Sequence, residues 1–348
     1  MKKYNNNYIG PLQYMVLVIF LSRSFLIGIG YSNILSISKY DSYISIVIGF
    51  IIGFIPILLL CHLNKKDINL FSLIKSKILK YIFIFIVIFL FIFLFKDLIN
   101  FVNLKYLFNS SLLFISILFI LPIIYIVNKG IESIGRSSLI MFYISILLFI
   151  ITSISLIRFV NINNFKPFLK TDLKDMLYSS IKYISYTIPP IIFLNIIPKN
   201  NNIKYNKYLI IGYVLSFISS FIIIIFMSSY SYEFISKFDY PLYILIKKIE
   251  YDFVSSPENI LSFFFIIDYF YSLIIYIYII KYYLENELNL KKKLLNIIYF
   301  ITLILLLYIS IYKDIHIEIL FVILLFSLIL FLVYSIYKIN NISKKNRV

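Results

Sequence analysis

Gly28-Ile29-Gly30 interrupts an apolar run over about residues 11–37, and Thr187-Ile188-Pro189-Pro190 interrupts another over about 175–197. A helix opened inside a bilayer leaves N–H and C=O groups without partners. It survives only where protein or a water-filled cavity re-satisfies them. The two runs are the first and the sixth of ten along the chain. Interruptions at matching positions of two halves point to a transporter-type core with a ligand site near the membrane midplane.

The surrounding sequence supports that reading. Of 348 residues, 61% are hydrophobic and only 14% charged, a balance that a soluble chain of this length could not cover with polar surface. The expected fold is an all-α membrane protein, a single transmembrane domain over 1–348. Runs able to span ~30 Å of hydrocarbon at ~1.5 Å per residue lie near 11–37, 42–62, 79–103, 110–128, 136–158, 175–197, 208–229, 259–282, 294–312 and 316–337. The one long hydrophilic connection, 230–258, holds an apolar stretch at Tyr240–Ile246 that suits an interfacial or re-entrant helix. The short basic start (Lys2, Lys3) precedes a run with Arg23 in it and no small-residue cleavage site, so that run reads as an uncleaved first helix.

Charge gives orientation. With the N-terminus inside, twenty Lys and Arg fall on the cytoplasmic side and ten outside, while Arg23, Lys96 and Lys182 lie within runs. Both termini are then expected to be cytoplasmic, with the net +17 facing anionic membrane lipid rather than nucleic acid. Ten helices starting inside make 11–160 and 175–337 two five-helix halves of opposite topology, a five-plus-five inverted repeat with helices 1 and 6 broken.

The same sequence excludes several chemistries. One cysteine, Cys61, forbids an intrachain disulfide, and the two histidines have no partners at metal-ligand spacing. No P-loop, nucleophile elbow or zinc-protease motif is present, so neither an enzyme nor a cofactor is expected. A polysaccharide polymerase or lipid-linked sugar enzyme would place catalytic Arg or His in a large outer loop, and 230–258 contains neither. The absence of Ala and Trp, with heavy use of Ile, Phe, Tyr, Lys and Asn, reads as base composition, which makes the eight glycines more informative.

Gly28 and Gly30 let a ligand approach the main chain, and Pro189 and Pro190 cannot donate, so the helix around Thr187 and Ile188 should open or kink. Open half-helix ends offer N–H groups to a carboxylate and C=O groups to an ammonium, and an amino acid suits both. Arg23, ~18 Å along helix 1, and Asp268, ~15 Å into helix 8, reach similar depth and should pair or share a polar cavity. Lys96 and Asp97 point to different helix faces, which leaves Asp97 to meet Lys182 of helix 6.

The connection Asn128-Lys129-Gly130-Ile131-Glu132-Ser133-Ile134-Gly135-Arg136 resembles the K-G-I-E-x-I-x-R loop of the endospore germination permease family, the B subunits of nutrient germinant receptors. Asp41-Ser42-Tyr43-Ile44-Ser45 is similar to that family's D-A-W-I-S, with Tyr43 in place of tryptophan. Phe165-Lys166-Pro167-Phe168-Leu169 is similar to its outer loop before helix 6, and Tyr240-Pro241 to its Y-P. The resemblance covers nearly the whole chain. It implies the amino acid–polyamine–organocation superfamily fold in the spore inner membrane. It also implies an amino-acid-like germinant and A-type and C-type partner subunits. The pocket it implies involves Gly28, Gly30, Thr187, Ile188 and Pro189, and Lys129, Glu132 and Arg136 would contact a partner subunit. Lys182 stands where the family often has an acid, which favours a ligand with a carboxylate feature. A free-standing amino-acid permease of the same fold is the alternative reading.

Overall fold

A computed structural model describes residues 8–65, 77–165, 169–199, 205–251 and 256–287, together with Leu325 and Leu328. The ninth and tenth runs, apart from those two leucines, and both termini lie outside the described residues.

Helix α1 is Pro11–Phe25, and a π turn, Leu26–Gly30, joins it to α2, Tyr31–Ser38. Then follow α3 (Ser42–Lys65), α4 (Lys77–Lys105), α5 (Leu112–Lys129), α6 (Ile131–Ile157), α7 (Leu173–Phe193) and α8 (Asn206–Ile235). Two short helices, α9 (Pro241–Ile246) and α10 (Pro257–Leu261), lead into α11 (Phe263–Glu287). Apolar run length foretold these bounds to within about six residues, α9 included, because a helix satisfies its own backbone in hydrocarbon.

Among the described residues, six helical stretches are long and apolar enough to cross a membrane: Pro11–Lys65, Lys80–Lys105, Leu112–Lys129, Ile131–Ile157, Asn206–Tyr230 and Pro257–Glu285. The first is 55 residues long, about twice what one crossing needs, and the chain turns within it at Lys39, whose φ is +50°. Helix α7 is too polar to join the six. From Lys182 to Phe193 every residue of it is buried, so its surroundings are protein rather than lipid.

Helix α1 occupies the centre. Residues Val16–Phe25 are all buried, and α1 packs against α6, α7, α8 and α11. Helix α11 in turn packs against α4, α5 and α6, while α3 lies against α7 and α8. Helices α5 and α6 carry the outward apolar surface, with Phe114, Leu121, Ile140 and Tyr143 more than half exposed. In a chain without alanine, glycine makes the close crossings. A Cβ at Gly49 would stand 2.8 Å from the Tyr183 ring, and one at Gly212 would stand 2.9 Å from the Met15 carbonyl oxygen and 2.9 Å from Val18 Cβ.

Two sequence stretches distant in the chain meet at one end of the bundle. The Asp41 carboxylate accepts from the backbone N–H groups of Leu169 (3.1 Å) and Thr171 (2.8 Å), and the Thr171 hydroxyl donates to the Ser38 carbonyl at 3.0 Å. Tyr43 meets the Phe165 ring edge-on at 5.4 Å. Residues 166–168 lie outside the described residues.

One expectation is corrected. Helix α7 is continuous through Pro189 and Pro190; it does not open at Thr187 and Ile188. Each proline removes one helical N–H donor, yet α7 is packed against α1, α2 and α3, and the Thr187 hydroxyl bonds back to the Tyr183 carbonyl at 3.0 Å. Neighbouring helices and a threonine hydroxyl are the usual means by which a membrane helix tolerates proline.

Gly212→Leu should push α8 off α1, because the contact it meets is backbone and cannot rotate away. The expected cost is about 1–3 kcal/mol, read as a lowered thermal unfolding midpoint of the full chain in detergent.

Candidate functional site

Within the first apolar run the backbone leaves helical geometry at the π turn: Gly28 has φ −79° and ψ −113°. A π turn inserts one residue and disrupts the hydrogen-bond ladder locally, and such turns gather at functional sites. Gly30 is helical (φ −59°, ψ −50°), and its glycine has a steric cause, since a Cβ would come within 2.7 Å of the Phe25 carbonyl oxygen.

The carboxylate of Asp97, from α4, lies against this turn. A Cβ on Gly28 would fall 1.8 Å from Asp97 Oδ2 and 2.6 Å from the Tyr269 hydroxyl. Only glycine leaves room for that acid. Asp97 Oδ2 accepts from the Tyr269 hydroxyl at 2.6 Å, and Oδ1 accepts from Tyr240 at 2.9 Å. The Tyr240 hydroxyl also lies 3.0 Å from the Asp97 carbonyl oxygen. Asp97, Tyr240 and Tyr269 are all buried. The expected Asp97–Lys182 contact is therefore replaced: two tyrosine hydroxyls hold the carboxylate, while the Lys182 ammonium lies 5.1 Å over the Tyr178 ring, one turn away on its own helix.

A second polar group shares α11 with the first and draws on α1 and α6. Arg23 Nη2 donates to Asp268 Oδ1 at 2.6 Å and to the Ser145 hydroxyl at 3.3 Å, with both charged side chains buried. This is the pairing expected from their depths. Arg23 Nε and Asp268 Oδ2 are buried without a hydrogen-bond partner among the described residues, as are the hydroxyls of Tyr31 and Ser220. Tyr31 adjoins Ser220 and lies within electrostatic range of both charges. Residues 268 and 269 thus face in two directions: Asp268 neutralises the cation of α1, and Tyr269 holds the anion beside the π turn.

Of the residues expected in the pocket, Gly28 and Gly30 form the turn. Thr187, Ile188 and Pro189 are buried in α7, which packs against that turn. The helix that carries the second interruption therefore packs against the first, but only the first opens the backbone. Lys129, Glu132 and Arg136 form a separate group at the α5–α6 corner. Gly130 turns the chain with φ +93°, Arg136 pairs with Glu132 at 2.5 Å on an exposed face, and Lys129 covers the Tyr125 ring at 5.2 Å. Asn128 beside them accepts from Lys281 of α11 at 3.0 Å.

Sequence reading missed Tyr269, Tyr31 and Ser220. With 32 tyrosines in the chain, no single one stands out. Tyr240 carried a signal in the Tyr240-Pro241 pair, but not its role.

No curated protein matches the sequence. The family model described as "Spore germination protein" (spore permease) matches residues 8–318. That is most of the chain, and the chain belongs to this family: it is an integral membrane protein of spore germination.

Breaking the buried ion pair by Arg23→Leu or Asp268→Leu should each cost about 3–5 kcal/mol, because either leaves a buried charge alone. The double variant should cost clearly less than the two together. Thermal unfolding of the three variants in detergent checks this.

Proposed function

We propose that this spore germination protein is the nutrient-sensing transmembrane subunit of a germinant receptor, and that it binds a small amino-acid-like molecule at the π turn of Gly28 and Gly30. The observation that carries the reading is the opened backbone at Gly28, buried at mid-helix and flanked by polar side chains from α4 and α11. Burying a polar break is costly unless something is gained by it, and a binding site is the usual gain. The orphaned polar atoms around Arg23, Asp268, Tyr31 and Ser220 add hydrogen-bonding capacity within reach of the same helices.

In this reading the chain completes ten transmembrane helices with the segments beyond residue 287, arranged as a five-plus-five inverted repeat with both termini cytoplasmic, in the spore inner membrane. Ile188 and Pro189 of unbroken α7 form a wall of the pocket rather than a second set of open half-helix ends. A-type and C-type subunits receive the signal, and the exposed Glu132–Arg136 pair with Lys129 is a surface they could contact. A buried acid on the ion-pair side, Asp268, is the residue that would couple binding to a proton. A free-standing amino-acid permease would use the same pocket and differ only in output.

Spores carrying Gly28→Ala, with the protein still present in the membrane at normal level, should lose nutrient sensitivity roughly tenfold or more. An unchanged nutrient response would remove the π turn as the binding site. Robust uptake of radiolabelled amino acids by vesicles containing this chain without partner subunits would favour the permease. Asp268→Asn should alter the pH dependence of the response if that acid couples binding to protons.

A further inference from the structure

The electrostatics of the π turn are one-sided. The Arg23 cation is neutralised at 2.6 Å by Asp268, so it lends the turn little positive charge. Asp97 lies at the turn as a buried carboxylate whose nearest partners are two neutral hydroxyls. Asp239, next to Tyr240 in the chain, is near enough to Asp97 to deepen the negative field. The space beside the opened backbone at Gly28 is filled by Asp97 Oδ2. A second carboxylate placed there meets like charge in a site shielded from water.

Resting on the reading of the π turn as the binding site, we infer that Asp97 is its specificity-determining residue and that it selects ligands through a protonated amine, with the ligand's carboxylate dispensable. An ammonium has three donors and no acceptor. On a carboxylate it adds the attraction of an opposite charge to the hydrogen bond, which a neutral hydroxyl does not, so it displaces a tyrosine from Asp97. Tyr240 is the one to leave. It precedes the short helix α9 in the segment joining α8 to α10, and its hydroxyl already lies within bonding distance of a second acceptor, the Asp97 carbonyl. Tyr269 is fixed within α11 and is fully buried. The ligand's amine therefore meets the break, and its carboxylate, when present, points away.

The test uses the full chain in lipid nanodiscs, the twenty L-amino acids as probes, and the ligand-induced rise in unfolding midpoint as readout. For each amino acid that shifts the midpoint, two analogues follow: its amide, which lacks the carboxylate, and its des-amino acid, which lacks the amine. The amide should keep the shift and the des-amino acid should lose it. Asp97→Asn should weaken the amide roughly tenfold or more, whereas Tyr240→Phe, which removes the competing hydroxyl but keeps the ring, should strengthen it several-fold. The Tyr240→Phe arm holds even where Asp97→Asn does not fold, and amide binding unchanged or weakened in it would overturn the assignment. A des-amino acid that binds as well as its parent would overturn it too, while leaving the π turn as the binding site. A panel in which no amino acid produces a shift would instead sink the binding reading itself.

Discussion

Hydrocarbon offers no partner for a backbone amide, and everything at the centre of this molecule follows from how one opened turn is accommodated. The turn at Leu26–Gly30 directly follows α1, the helix that packs against α6, α7, α8 and α11. It is tolerated because protein, not lipid, meets it there. A lipid-facing helix such as α5 or α6, with large apolar side chains exposed along its outer surface, could not carry the same defect.

Glycine and acid at this turn are one feature. Gly28 without a Cβ admits the Asp97 carboxylate, and the carboxylate brings in two tyrosines from the segment before α9 and from α11. An ionised group buried that deeply is costly alone. The neighbouring Arg23–Asp268 pair solves the same problem differently, with opposite charges in contact. Charge is thus sorted inside a small volume: a neutralised pair on one side of α11 and an unneutralised acid on the other. That sorting, more than the shape of the turn, bears on which molecule the protein recognises.

Helix positions were legible in the sequence because the bilayer imposes a length and a polarity that few other constraints share. Even the short helix at Pro241–Ile246 could be read from its apolar stretch. The Arg23–Asp268 pairing was legible for a related reason: two buried charges at equal depth have few other places to go. Asp97 was found but given the wrong partner. Its depth matched that of Lys182, and depth along a helix says nothing about which neighbour occupies the facing side. The proline pair was misread because Pro189-Pro190 reports missing donors, while the outcome depends on whether packing holds the helix together without them.

By itself, the sequence determined that this is a multi-pass helical membrane protein, where most of its helices begin and end, and that its first helix is interrupted at Gly28. Those properties follow from local composition against a bilayer of fixed thickness. Only the tertiary structure decided that α7 stays intact, that Asp97 belongs to tyrosines, and that a carboxylate stands in the opened turn. These depend on which side chains from distant segments share a few cubic ångströms, and no periodicity along the chain encodes that. The sharing is set by the crossings that α1 makes with its neighbours, at glycines such as Gly212 whose value appears only once the opposing backbone is in place.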